Sequence, residues 1–249
     1  MSYGNPSRHL EECESTNDLA SEWAQDPSDP APDGALVTAD TQTKGRGSRG
    51  RSWDSGAGDN VIMSLVLRDT NPSQTQWQIG FVCALAVTDA LRSHGIEGQI
   101  KWPNDVLIDG RKVAGILVEV PVQSRDFGWI AIAGIGVNVN RAGFADAAQY
   151  PVPPTSIFLE AGVSISPREL ADEIAHCIEV WEKERRLGNW TAILDEVRAR
   201  LAVGVALTRG GSTGVLQDIG AEGQAIVQLN PGTFAEWCTV DYEAGLNSV

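Results

Sequence analysis

The 249-residue sequence has no run of 18 apolar residues, so no segment is expected to cross a membrane as a helix. Its first stretch, MSYGNPSRHLEECEST, carries no apolar core. No signal peptide is therefore expected, and the cytoplasm is the expected compartment. Basic residues are scarce: 19 Lys and Arg against 33 Asp and Glu give a net charge of −14. That sign excludes a protein that coats nucleic acid or anionic lipid, though not a local cationic site. Cysteine is sparse as well. Cys13, Cys83, Cys177 and Cys238 are dispersed with no CxxC, which excludes a disulfide or zinc framework and fits free thiols. Repeats and low-complexity tracts are absent. Apolar residues at 42% and charged residues at 21% are ordinary for a globular chain, which excludes wholesale disorder.

The pattern along the chain is mixed. STNDLASEWAQ (15–25) reads as a short helix with Ser15 or Thr16 as its N-cap, followed by a proline-rich loop (26–34) and a strand at 35–42. Residues 43–60 form a loop with glycines at 45, 47, 50, 56 and 58, and VIMSLVLR (61–68) is a buried strand. Residues 76–94 are apolar nearly all round, as in a buried helix closed by Gly95. Asp109-Gly110 is a type I′ hairpin signal within 100–120, and 129–140 is a further strand. Ser166-Pro167-Arg168-Glu169 is a capping box opening a helix that Gly188 stops, and Asn189 caps another. Past residue 202, four short strand-like runs with glycine turns predict a small β barrel or sandwich. The expected division is 1–202 and 203–249.

Lys44, Arg46, Arg49 and Arg51 fall within eight residues, and no acid interrupts positions 41–53. Glycines among them leave backbone N–H groups open, so this loop is a candidate anion site. It matches GxGxxG and, loosely, a P-loop. Both of those mechanisms need a helix to begin at the glycines, and SWDSGAGDN cannot be that helix. A second cluster, Lys101-Trp102-Pro103-Asn104-Asp105, places a base, an indole and an acid together. Asp105 there could orient a cation or hold Mg²⁺. Lys112 follows just past the hairpin turn.

Together these segments resemble the biotin protein ligase family. The matching pieces are Ser15-Thr16-Asn17, Gln42 followed by GRGSRGRSW (45–53), KWPNDVLIDGRKVAGILVE (101–119) and IAGIGVNVN (132–140). Each motif is weak alone, but four in the right order are specific. The Ser15 motif leaves no room before it for the family's helix-turn-helix repressor domain, so the short, non-regulatory form is expected.

The resemblance implies an α+β fold, with a mixed sheet flanked by helices as in class II aminoacyl-tRNA synthetases and lipoate ligases, then an SH3-like barrel. It implies that ATP activates biotin to biotinyl-5′-AMP, and that biotin then passes to a lysine of a biotin carboxyl carrier domain, as in acetyl-CoA carboxylase. The first step brings a carboxylate against a polyphosphate, which requires cationic donors and, in the family, Mg²⁺. By the resemblance, Ser15, Thr16, Asn17 and Gln42 face the ureido ring. Arg46, Gly47, Ser48 and Arg49 close over the biotin carboxylate and adenylate phosphate. Lys112 bridges carboxylate and α-phosphate, and Gly115 with Ile116 and Leu117 borders the biotin pocket. Arg51, Trp53 and Asn138 serve the adenylate, while Lys101 and Asp105 face phosphates and metal. Ser48 stands where the family usually has arginine, so the adenylate is expected either to be retained less well or to be retained with the help of Lys44, at a usually small position. No side-chain nucleophile is required. A monomer and a homodimer both remain open.

Three other readings compete. A lipoate or octanoate enzyme on the same fold would need an apolar tunnel and no ureido-binding set. A non-catalytic biotin sensor would not need the phosphate-facing cations. A nucleic-acid module conflicts with the net charge.

Overall fold

The computed structural model describes residues 2–69, 77–124, 128–145, 147, 150–230 and 232–238. Its main sheet has seven strands: β1 (Ser7–Cys13), β2 (Leu36–Gln42), β3 (Asn60–Asp69), β4 (Gln99–Lys101), β5 (Asp105–Ile108), β6 (Arg111–Ser124) and β7 (Gly128–Asn138). Their order is β1-β2-β3-β7-β6-β5-β4. Only the β1–β2 pairing is parallel, so the sheet is mixed, as the resemblance implied.

The period-two alternation of strands decides where each face goes. On β3, Val61, Met63, Leu65 and Leu67 join the main core, packed against α2 (Gln78–Ser93) and α4 (Pro167–Arg186). On β7, Trp129, Ala131, Ala133, Ile135 and Val137 belong to the same core. The residues between them face the other way. Val66 of β3 and Ile132 of β7 form a smaller core with Ala20, Trp23 and Ala24 of α1 (Thr16–Gln25). Beyond the end of α1, this second face is left with Ile62 and Ser64 on β3, and Gly134, Gly136 and Asn138 on β7. That uncovered stretch is where the site lies.

Local signals read from sequence hold at most elements. The helix expected at 76–94 is found at Gln78–Ser93 and is buried nearly all round, as its apolar pattern demanded. Asp109 and Gly110 take φ of 47° and 75°, the left-handed pair of a type I′ turn. Ser166 Oγ accepts from the Glu169 N–H, with Pro167 in the first turn of α4. α5 (Trp190–Ala199) follows, but Asn189 makes no cap bond; its side chain donates instead to Glu184. Ser15 is likewise an N-cap by position and extended backbone only, with no side-chain cap bond.

Two elements carried no pattern. β1 is an edge strand with mostly exposed side chains, held by backbone pairing to β2. α3 (Ile157–Ala161) is one short turn, capped by Ser156 and ended by Gly162 at φ 67°.

The C-terminal strands β8 (Ala206–Arg209), β9 (Ser212–Ile219), β10 (Ala225–Asn230) and β11 (Thr233–Trp237) form an antiparallel sheet in chain order. Closure into the expected SH3-like barrel is not seen among the described residues. Among the described residues β8 and β11 are unpaired outer strands, and the sheet stays open.

Candidate functional site

A cavity of about 740 Å³ lies over β3, β6 and β7. Its floor is made by glycines. A Cβ at Gly134 would fall 2.3 Å from Asn17 Oδ1, and one at Gly136 2.3 Å from Trp53 Cε2. Across the sheet Gly115, the partner of Gly136, would bring a Cβ to 3.0 Å from Trp53. These glycines are required for room, so that Asn17 and Trp53 can lie directly on the strands.

One end of the cavity is a neutral hydrogen-bonding set. Ser15, Thr16 and Asn17 are buried at the start of α1. The Thr16 backbone N–H and hydroxyl both donate to Gln42 Oε1, at 2.8 and 3.0 Å. Ser64 Oγ sits 2.8 Å from Thr16 Oγ1 and 2.6 Å from Asn17 Oδ1. Asn17 Nδ2 donates to Glu119 at 2.6 Å. The set is thus oriented by partners on three strands, β2, β3 and β6.

Above it the glycine loop folds on itself. Arg46 bridges to Ser52, the Trp53 N–H donates to Gly45 O, and a single 3₁₀ turn (Ser48–Gly50) forms the tip. No α-helix starts there, which agrees with the rejection of both phosphate-loop motifs. Arg46 forks onto Asp18 at 2.7 and 2.8 Å and reaches Glu119 at 3.0 Å. The Asp18 hydrogen bonds, with help from Glu119 and against partial burial, hold this guanidinium above its ordinary range. Arg51 donates to the carbonyl and hydroxyl of Ser48, at 3.2 and 3.0 Å. The Arg49 side chain lies outside the described residues. Lys44 does not reach the cavity; it pairs with Glu14 at 2.8 Å, both exposed, so compensation for Ser48 is not provided from there.

The other end is charged. Lys101 and Asp105 face each other across the β4–β5 turn, and Lys112 projects from β6. Asp105 is 6% exposed, with its oxygens 2.5 Å from Lys112 Nζ and 3.2 Å from Lys101 Nζ. Burial alone would raise the Asp105 carboxyl; the two ammonium groups outweigh it and hold the carboxyl below its usual range. Each carboxylate oxygen thus has a lysine ammonium beside it. Among the described residues no group of three or more His, Cys, Asp or Glu converges anywhere. Mg²⁺ is commonly held by one or two carboxylates together with substrate phosphates, and Asp105 is the carboxylate beside the two lysines here. Lys112 also sits 5.6 Å over the Trp53 ring.

Asn138 lines the cavity, but its amide donates to Thr155 O at 2.9 Å and ties down the following segment. Every other expected residue whose side chain is described also lines this one cavity: Ser15, Thr16, Asn17, Gln42, Arg46, Gly47, Ser48, Arg51, Trp53, Lys101, Asp105, Lys112 and Gly115. Four contributors went unread in the sequence. Ser64 had a signal, a polar residue inside an apolar strand. Asp18, Glu119 and Arg141 had none, because their partners are distant in the chain. Residues 206–208 of β8 also reach the cavity wall.

Such a cavity fits a ligand that is neutral and polar at one end and anionic at the other. Comparison with known proteins points the same way. Residues 10–140 match the model of the biotin/lipoate A/B protein ligase family. The chain is 40% identical over 150 residues to a bifunctional ligase/repressor BirA of Bacillus subtilis (strain 168), covering 60% of this chain and 46% of that protein. It is 37% identical over 174 residues to a biotin--[acetyl-CoA-carboxylase] ligase of Paracoccus denitrificans, covering 68% and 71%. The structure of a biotin protein ligase from Aquifex aeolicus in complex with biotin and ATP superposes with a TM-score of 0.78 at 27% identity, covering 96% and 97%. This chain belongs to the biotin/lipoate A/B protein ligase family. It spans about half the length of the Bacillus relative.

Proposed function

We propose that this chain is a biotin protein ligase that activates biotin with ATP to biotinyl-5′-AMP and transfers the biotinyl group to a lysine of a biotin carboxyl carrier domain. The observation that carries this reading is one cavity holding both the Thr16–Gln42–Ser64–Asn17 set and the Lys101–Asp105–Lys112 cluster on a common glycine floor. The neutral set suits a ureido ring, whose N–H and C=O groups need fixed partners. The lysines suit the charge that develops when a carboxylate oxygen attacks the α-phosphorus and pyrophosphate leaves.

Each residue then has a part. Ser15, Thr16, Asn17 and Gln42 orient the ring. Lys112 bridges the carboxylate and α-phosphate, with Asp105 holding Lys112 and Lys101 in place. Arg46, Gly47, Ser48 and Arg49 cover the carboxylate, and Gly115 leaves room beside Lys112. Arg51, Trp53 and Asn138 bound the adenylate. In the second step the carrier amine attacks the acyl carbon, AMP leaves, and the amine's proton passes to solvent. No protein nucleophile intervenes.

We assign residues 1–202 to the ligase unit and 203–249 to a C-terminal unit that closes one cavity wall and serves ATP and carrier docking. The reading places the enzyme in the cytoplasm and gives it no repressor role; among the described residues no helix is long and apolar enough to cross a membrane. A gel shift on its own promoter with biotin should show no complex.

A lipoate ligase is the competing reading, since the family model spans both. ATP–pyrophosphate exchange separates them. Exchange should depend on biotin and be indifferent to lipoate. Lipoate-dependent exchange, or none with either acid, overturns the proposal.

A further inference from the structure

Asp54 and Arg141 belong to no recognisable motif. Asp54 follows Trp53 at the exit of the glycine loop, and Arg141 follows the end of β7. The structure joins them: Arg141 Nη1 lies 2.8 Å from Asp54 Oδ2 and donates to the Asp54 carbonyl at 3.4 Å. Both residues line the cavity. The arginine side chain is 16% exposed and the aspartate 63%, so the pair spans from the cavity wall to the surface.

Each partner is held from its own side. Asp54 Oδ1 accepts the Gly56 N–H at 3.1 Å, which fixes the carboxylate in the bend after the loop. The Arg141 guanidinium lies 4.5 Å over the Phe144 ring. The Arg141 carbonyl accepts from Ser156 Oγ at 2.6 Å, next to the Thr155 carbonyl that Asn138 holds. Partial burial of Asp54 is outweighed by the Gly56 N–H and by Arg141, and its carboxyl sits below the ordinary range.

We propose that Asp54 and Arg141 form a clasp between the glycine loop and the segment after β7, and that this pair sets how fast the acyl-adenylate escapes. The inference rests on the ligase reading and adds two positioning residues to it. With the clasp closed, the loop carrying Arg46 and Arg51 is tied to the segment after β7, which also lines the cavity. Opening it frees only that one edge of the loop, because the Arg46 pairs with Asp18 and Glu119 remain.

The test is a charge swap in the full chain. Asp54→Arg, Arg141→Asp and the double swap are loaded with labelled biotin and ATP, desalted, and followed for release of labelled biotinyl-adenylate. A half-exposed pair of this kind, with repulsion added by reversal, predicts release about five- to tenfold faster in each single variant. The double swap should return to within about twofold of wild type. In parallel, hydrogen exchange of the 43–56 amides in ligand-free protein should quicken in both single variants and recover in the swap. This second readout needs no ligase activity. If wild type retains no adenylate after desalting, biotin-dependent pyrophosphate exchange decides the ligase reading, and the hydrogen-exchange data still decide the clasp. Single variants that match wild type in exchange overturn the clasp. So does a double swap no better than Arg141→Asp, because then Arg141 acts on the ligand directly.

Discussion

At Lys112 three constraints meet. Its ammonium is 2.5 Å from Asp105, it overlies Trp53, and its backbone N–H and C=O are paired to Pro153 and Thr155. Truncating it removes a charge without touching those backbone bonds. Lys112→Ala should therefore keep the fold and lower biotin-dependent pyrophosphate exchange roughly 10- to 150-fold, the range for losing a charge-assisted contact of about 1.5–3 kcal/mol. Exchange within twofold of wild type would exclude Lys112 as the activating lysine. Asp105 makes a pH prediction. Its carboxyl is depressed in the folded protein, so it contributes stability that is complete above the ordinary aspartate value of about 3.9 and lost as pH falls through its lower folded value. Asp105→Asn should leave two ammonium groups without their counter-charge and cost about 3 kcal/mol at neutral pH. In urea titrations that gap should shrink as pH falls below about 4, where the unfolded carboxyl begins to take up its proton, towards the lower folded value; a gap that persists undiminished there contradicts the ion-pair account. Residues of this kind were legible because the chemistry needs unusual side chains close together in sequence. Lys101 and Asp105 are four apart, and the loop arginines fall within six residues. Arg141, Glu119 and Asp18 were not legible, because nothing local marks an ordinary charged residue whose partner lies dozens of positions away.

At the scale of elements, alternation does the positioning. β7 sends Ala133, Ile135 and Val137 into the main core and Gly134, Gly136 and Asn138 towards the cavity. The pattern GIGVN thus reads as a strand on one side and a floor on the other. Periodicity was enough to find the strand, but only the neighbouring loop shows why its outer face is bare. Trp53 lies against Gly136 with a Cβ position 2.3 Å from its ring, and nothing in residues 45–53 announces that contact. Gly136→Ala needs no unusual backbone, so the strand should form normally. The indole must shift by more than an ångström to reach ordinary contact. The variant should fold with near-native far-UV dichroism and bind adenylate about tenfold more weakly, by calorimetry. Unchanged affinity would mean that Trp53 does not shape the adenylate end. β1 and α3 escaped the sequence reading for a related reason. An exposed edge strand and a five-residue helix bury too little to impose a period, and both are set by backbone pairing and capping.

Across the whole molecule, the open C-terminal sheet is gripped through the turn between β9 and β10. Trp102, fully buried between Lys101 and Asp105 in the chain, donates its indole N–H to Gly223 O at 3.0 Å. Trp190 of α5 donates to Ala221 O at 2.9 Å, and Trp77 packs against Gly223 so closely that a Cβ there would lie 2.1 Å from its ring. Three tryptophans from distant parts of the chain thus converge on one glycine turn, and Trp77 and Trp190 also meet edge to face. A four-stranded sheet of this size buries too little to stand alone, so it depends on this grip. Trp102→Phe keeps most of the ring and deletes the donor, leaving a buried carbonyl unpaired at a cost of about 1–3 kcal/mol. For a chain of this length that corresponds to a fall in melting temperature of roughly 2–12 °C. Because Trp102 lies in the turn that sets Lys101 against Asp105, the loss should appear in a single cooperative transition spanning both sheets. Calorimetry of the variant checks this. An early, separate transition with the main endotherm unmoved would show that the C-terminal sheet is held by Trp77 and Trp190 and owes nothing to Trp102.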